Sequence, residues 1–204
     1  MAKPAGVILA GGRSSRMGVS RKALLELHGQ PLLKHVVDRI QPQVGPLLLS
    51  CESETDDFKA YGLPIVPDLL PDYRGPLTGL YSALQYLADQ GHDDGLFLCP
   101  CDAPFIPDNI VQVLLAACEG EKTSVAAIAY RDVLQPTFSL WQNHHLNAVR
   151  QAVVGEGRGG LKHLLTSLPH KIVEWENVEP SPFFNVNTPE ELKSAALWLD
   201  RMRA

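Results

Sequence analysis

Short, continuous apolar runs alternate along this chain with stretches in which apolar residues recur at helical spacing. Ala5–Ala10, Leu47–Leu49, Ile65–Val66 and Leu96–Cys99 are runs of the first kind, the pattern of strands buried on both faces. Leu32, Leu33, Val36, Val37 and Ile40 mark one face of a helix started by Pro31. Leu80, Leu84 and Leu87 repeat at i, i+4 and i+7 after Gly75-Pro76, and Ile110, Val113, Leu114 and Ala117 form a third helical face. Ser124–Tyr130 and Thr137–Trp141 predict two further strands. Leu146–Val153 and Leu161–Leu168 predict helices parted by the glycine-rich "GEGRGG". The last helix is signalled by "NTPEEL". Thr188 as N-cap, Pro189 at the first helical position and Glu191 at the third form a capping box ahead of Leu192, Ala195, Ala196 and Leu199.

This alternation predicts an α/β fold in three layers, Rossmann-like, with a mostly parallel central sheet covered by helices on both faces. The 204 residues suit a single domain, 1–204, with a full core. In such sheets ligands bind beyond the carboxyl ends of the strands. The loops after Ala10, Leu49, Val66 and Cys99 therefore share one rim, which carries Gly11–Lys22, Ser50–Glu52, Asp68–Gly75 and Asp102.

Charge narrows the choice of partner. A formal net charge of −5, from 18 Lys and Arg against 23 Asp and Glu, argues against a general nucleic-acid surface. Yet Arg13, Arg16, Arg21 and Lys22 crowd into "GGRSSRMGVSRK" directly after the first strand, so a discrete anionic ligand is expected. No segment reaches the ~18 continuous apolar residues of a membrane span. Met1-Ala2-Lys3-Pro4 leads into a short apolar stretch broken by glycines rather than into a signal peptide, so a cytoplasmic protein is expected. Cys51, Cys99, Cys101 and Cys118 lack C-x-x-C spacing and are expected as buried thiols. His144 and His145 diverge by ~100° if helical, a poor chelate, and are expected as surface imidazoles.

The glycines of the opening loop let the backbone approach a phosphate closely, and its cations can then neutralise several charges together. Neither standard fingerprint is present. Gly18 is separated from Lys22 by Val19-Ser20-Arg21, which excludes Walker A, and the adjacent Gly11 and Gly12 break G-x-G-x-x-G. Asp102, at a strand's carboxyl end opposite this basic loop, suits Mg²⁺, which takes a few carboxylates together with phosphate oxygens and water, although an Asp in such a place is more often a turn residue or helix cap. Asp68 and Asp72 share "VPDLLPDYRGPLTG", and spacing does not choose between them. Asn185 and Asn187 alternate on a short extended segment and so point the same way, either to a ligand or to the backbone entering the last helix. Arg158 is equally a second anion contact or part of an exposed turn.

"LAGGRSSRMG…K…L…GQPLL", followed in order by "PDLLPDYRGPLTGL", "LCPCDAPFIP", "QPTFSL" and "FNVNTPEEL", resembles the nucleotidyltransferase-like family that makes molybdenum cofactor dinucleotides. The resemblance runs from Gly6 to about Leu192. It implies a nucleotidyltransferase fold and transfer of GMP from GTP to the terminal phosphate of molybdenum-bound molybdopterin, with Mg²⁺ as cofactor and pyrophosphate released. It implies that Leu9, Ala10 and Gly11 contact the nucleotide, and that Lys22 holds its phosphates. It favours Asp68 over Asp72, placing Ser50 and Asp68 on the nucleoside, Asp102 on the metal, and Asn185 and Asn187 on the molybdopterin side. Lys22, Arg16 and Asp102 are then the catalytic candidates, and proteins that deliver the pterin or receive the finished cofactor are candidate partners. Alternatives are a transferase that uses CTP on the same pterin, a sugar-phosphate nucleotidyltransferase, and a nucleotide-binding regulator without turnover. Two positions depart from the family pattern: Arg21 stands where Asp is usual, and Ser50 where Asn is common.

Overall fold

The computed structural model describes residues 3–11, 22–51, 56–70, 75–120, 124–156 and 160–203. Strand β1 (Ala5–Leu9) is followed by a small hairpin, β2 (Glu26–Leu27) and β3 (Gln30–Pro31), and then by helix α1 (Leu32–Ile40). Next come β4 (Leu47–Cys51), α2 (Asp56–Lys59), β5 (Ile65–Pro67), α3 (Pro76–Asp89), β6 (Leu96–Pro100) and α4 (Ile110–Ala117). The second half holds β7 (Val125–Tyr130), β8 (Val133–Trp141), α5 (Leu146–Arg150), α6 (Leu161–Ser167), β9 (His170–Glu174) and α7 (Pro189–Arg203).

Among the described residues, seven strands form one sheet in the order β5-β4-β1-β6-β8-β7-β9. β5, β4, β1 and β6 run parallel, β8 is antiparallel to both β6 and β7, and β9 is parallel to β7. Alternate residues along each strand feed two separate cores. Ile8, Leu49, Phe97 and Ile128 pack with α1 and α4 on one face, while Val7, Leu48, Leu98 and Ala127 pack with α3, α5 and α6 on the other. This double burial is why the central strands carry continuous apolar runs, and it confirms the expected three-layer α/β arrangement. A third cluster joins Leu27, Leu32 and Phe105 to Val186, Ala195 and Leu199, and so ties α7 to the β2–β3 hairpin. No helix among the described residues is long and apolar enough to cross a membrane.

Three local expectations are corrected. The strand expected over Thr137–Trp141 begins at Val133, because β7 turns directly into it through Arg131 and Asp132, whose φ values of 53° and 61° are those of a two-residue hairpin turn. The helix expected over Leu146–Val153 keeps α-helical bonding only to Arg150 and widens to a π-helix over Gln151–Glu156. His145, expected at the surface, is buried: its Nδ1 accepts the Gln142 N–H at 3.1 Å, and its ring lies edge-on to Trp141 with centroids 5.9 Å apart. The imidazole therefore caps a short 3-10 turn, which gives a polar side chain a reason to sit inside. His144 remains exposed, and all four cysteines are free and buried, as expected.

Candidate active site

A cleft of about 350 Å³ opens beyond the carboxyl ends of β1, β4, β5 and β6. It is lined by Leu9, Ala10 and Gly11 from the end of β1, by Ser50 and Asp68 beside them, and by Lys22, Asp102 and Asn187. Eight of the residues singled out in the sequence thus share one cavity. Asn185 lies two residues from the lining Asn187, and Arg13, Arg16, Arg21, Asp72 and Arg158 lie outside the described residues.

Backbone hydrogen bonds set this rim. The Ala10 N–H donates to the Ser50 carbonyl at 2.8 Å, and the Cys101 N–H donates to the Leu9 carbonyl at 3.1 Å. The ladder thus continues one residue past β1 and holds Gly11 and Asp102 on adjacent strand ends. The Val186 N–H donates to the Asp102 carbonyl at 2.9 Å, which brings the segment before α7 across the top of β6. That segment is anchored at its other end by the β7–β8 turn: Arg131 Nε donates to Asn177 Oδ1 at 2.7 Å, and Arg131 also pairs with Glu179.

Charge converges at Lys22. Its ammonium donates to Asp102 Oδ2 and to Asn187 Oδ1, and the Asn187 Nδ2 donates to the Asn185 carbonyl at 3.0 Å. Burial pushes the Asp102 carboxyl above its usual value; the Lys22 ammonium pulls it back down, and the Glu191 charge adds a smaller upward push. Burial likewise raises the Cys101 thiol, with the Asp102 charge acting in the same direction, so the neighbouring sulfur is a neutral wall rather than a nucleophile.

The second oxygen of Asp102 and the side-chain oxygen of Asn185 are buried without a hydrogen-bond partner among the described residues. Leaving such an acceptor unmatched costs about 1–3 kcal/mol, so folded proteins seldom do so without a reason. A divalent cation supplies one. Mg²⁺ typically takes one or two carboxylates and completes its shell with phosphate oxygens and water. Asp102 fits that description, and among the described residues no cluster of three or more His, Cys, Asp or Glu offers a fuller cage.

Gly79, which is not among the candidates named from the sequence, sits inside α3 and lines the cleft. A Cβ there would stand 2.5 Å from Leu9 Cδ2 and 2.7 Å from Ser50 Oγ. Glycine inside a helix costs about 1 kcal/mol relative to alanine, so its presence mid-helix was a legible sign of close packing. Gly75, with φ +71° and ψ −160°, starts the same helix in a conformation open essentially to glycine alone. Ser82 then fastens the segment after Asp68 onto α3: its Oγ accepts the Leu69 N–H at 3.0 Å and donates to the Thr78 carbonyl at 2.9 Å.

Comparison with known proteins identifies the family. Residues 6–172 match the model of the MobA-like NTP transferase domain. A molybdenum cofactor guanylyltransferase from Bradyrhizobium sp. (strain ORS 278) is 35% identical over 191 residues, covering 93% of this chain and 90% of that one. Among solved structures, molybdopterin-guanine dinucleotide biosynthesis protein A from Archaeoglobus fulgidus superposes with a TM-score of 0.77 at 21% identity, covering 97% of this chain and 100% of that one. A Mycobacterium tuberculosis protein crystallised with manganese superposes with a TM-score of 0.72 at 18% identity, covering 96% and 98%. A family domain over most of its length and a relative a third identical nearly end to end make the chain a member of the MobA-like NTP transferase family, a nucleotidyltransferase of molybdenum cofactor biosynthesis.

Proposed function

We propose that the enzyme transfers GMP from GTP to the terminal phosphate of molybdenum-bound molybdopterin and releases pyrophosphate. The observation that carries this reading is the convergence of Lys22, Asp102 and Asn187 on one cleft at the strand ends, with one buried Asp102 oxygen left open. Leu9, Ala10, Gly11, Ser50 and Asp68 would hold the nucleotide, Lys22 its phosphates, and Asn185 and Asn187 the molybdopterin side. Arg16, six residues before Lys22 in the sequence, would add charge. Residues 1–204 would act as one domain, its N-terminal part toward GTP and its C-terminal part toward the pterin.

The chemistry asks little of the protein in acid–base terms. A phosphate monoester has a second pKa near ~6, so the attacking oxygen is already largely ionised at neutral pH. It would attack the α-phosphorus in line while pyrophosphate leaves. The obstacle is repulsion between two anions, which fixed cations reduce at no reorganisation cost during the reaction. Lys22 supplies one such cation, held in place by Asp102 and Asn187. Asp102 would also hold Mg²⁺, which when bound neutralises charge developing on the phosphates.

The test is mass analysis of the product formed from molybdopterin with GTP and CTP mixed. GTP is expected to be used in preference, and ATP hardly at all, because a site that pairs with one base's polar edge leaves buried groups unmatched by another. Equal or faster pyrophosphate release with CTP would overturn the base assignment and keep the reaction class. Pyrophosphate release that ignores molybdopterin would overturn the acceptor.

Gly79→Ala should act on the nucleotide more than on the fold. The new methyl would stand 2.5 Å from Leu9 Cδ2 and 2.7 Å from Ser50 Oγ, so these two cleft-lining side chains would have to shift. Overpacking of this kind costs about 1–3 kcal/mol. The expected result is a modest fall in Tm with a larger loss of GTP affinity, measured by thermal melts and by titration. Unchanged GTP affinity would place the nucleotide elsewhere in the cleft.

A further inference from the structure

Glu191 belongs to the last helix, but its carboxylate acts outside it. Thr188 Oγ1 accepts the Glu191 N–H at 3.2 Å, which is one half of the expected capping box. The returning half is displaced by one residue: a Glu191 carboxylate oxygen accepts the N–H of Asn187 at 2.5 Å, not that of Thr188. Asn187 is the residue whose side-chain oxygen receives Lys22. Its neighbour Val186 is bonded to the Asp102 carbonyl at 2.9 Å. Segment 185–187 is therefore held at two points, by the Asp102 backbone and by the Glu191 carboxylate. A hydrogen bond to an ionised acceptor is roughly twice as strong as a neutral one, so the second point is a firm one.

We propose that Glu191 is a positioning residue for nucleotidyl transfer: by holding the Asn187 amide it aims the Asn187 side chain at Lys22 and so fixes where that ammonium stands beside Asp102. The inference rests on the reading of the cleft as the transfer site. Capping a helix and supporting a site are separable roles here. Thr188 caps the same helix without touching the Asn187 amide, so it serves as the control.

The experiment compares Glu191→Ala, Glu191→Gln and Thr188→Ala in the full chain, by Tm and by kcat and KM for GTP and for molybdopterin. Glu191→Ala is expected to lower kcat about tenfold or more, since small misplacements of a charged group are costly to rate. Glu191→Gln, whose amide oxygen still accepts the N–H, should recover most of that loss. Thr188→Ala should lower Tm about as much as Glu191→Ala while leaving kcat and both KM values unchanged. If Glu191→Ala and Thr188→Ala both lower Tm and neither changes the kinetics, Glu191 is only a cap and the proposal fails. Should Glu191→Ala not fold, Glu191→Asp carries the same test, because it keeps the charge and loses the reach.

A second readout needs no substrate. The Asn187 amide proton should resonate far downfield in the unmodified protein and return to the ordinary range in Glu191→Ala. An ordinary shift in the unmodified protein overturns the contact itself. If the unmodified protein forms no guanine dinucleotide, the proposed reaction fails instead, and the amide shift still decides whether Glu191 holds Asn187.

Discussion

Asp102→Asn is expected to abolish most turnover, by at least ~10²-fold, while leaving the protein folded. The substitution keeps the side chain's shape and leaves an oxygen that Lys22 can still reach. It removes the negative charge on which a divalent cation depends, at the point where one oxygen is buried and open. Turnover across a Mg²⁺ titration, with circular dichroism as the folding control, measures the effect. Near-normal turnover with unchanged Mg²⁺ dependence would show that the metal is held elsewhere, and Asp68 would be tested next.

The same variant has a stability signature of known sign. In the metal-free fold burial outweighs Lys22, so the Asp102 carboxyl holds its proton more tightly than it does in the unfolded chain. An acid raised in this way contributes stability below its unfolded pKa of about 3.9, and that contribution is lost as pH rises through the higher folded value. At pH above that folded value the metal-free enzyme carries the cost of an ionised, buried carboxylate, and Asp102→Asn does not. Its Tm should equal or exceed that of the unmodified protein at pH 7, with the advantage shrinking toward pH 3. A large fall in Tm at neutral pH would mean that the Lys22–Asp102 pair stabilises the fold more than burial destabilises it.

Lys22→Met is the second large effect, and it should move two affinities in opposite directions. The ammonium is a compact point charge that a thioether cannot replace among phosphates. Removing a hydrogen bond to a charged group costs about 1.5–3 kcal/mol, or roughly 10- to 100-fold in GTP affinity, and turnover should fall further. Lys22 also occupies an Asp102 oxygen in the ligand-free enzyme. Without that competitor Asp102 is open to a free divalent ion, so Mn²⁺ alone should bind Lys22→Met more tightly than the unmodified enzyme. Electron paramagnetic resonance of Mn²⁺ reads this without turnover. Retained GTP affinity in Lys22→Met would show that the lysine serves Asp102 and not the nucleotide.

Much of the fold was legible because the central strands are buried on both faces. Val7 and Ile8, or Leu48 and Leu49, must both be apolar when each faces a different core, and a run of that kind is visible in one dimension. β9 was missed for the converse reason. His170–Glu174 is an edge strand with alternating exposed positions, and its apolar content is too low to separate it from a loop. The antiparallel course of β8 was within reach: six residues between Tyr130 and Thr137 are too few for a parallel crossover, which takes a dozen or more. It was missed because Arg131-Asp132 lacks the glycine that usually signals such a turn.

What the sequence determined by itself is a list of candidates for the cleft. The rim at the strand ends follows from periodicity, and the choice of Lys22, Asp68, Asp102, Asn185 and Asn187 follows from the resemblance of the motifs that hold them. What only the tertiary structure decided is their pairing. Lys22 and Asp102 are 80 residues apart, and Lys22 and Asn187 are 165 apart, so no local pattern encodes their contact. Those distances are closed by the parallel pairing of β1 with β6 and by the return of segment 185–187 over the end of β6. The fit of Gly79 against Leu9 and Ser50, and the displaced bond from Asn187 to Glu191, were likewise decided in three dimensions. A one-dimensional pattern specifies which face of an element is apolar. It does not specify which polar groups meet where the elements end, because that depends on how the strand ends are brought side by side.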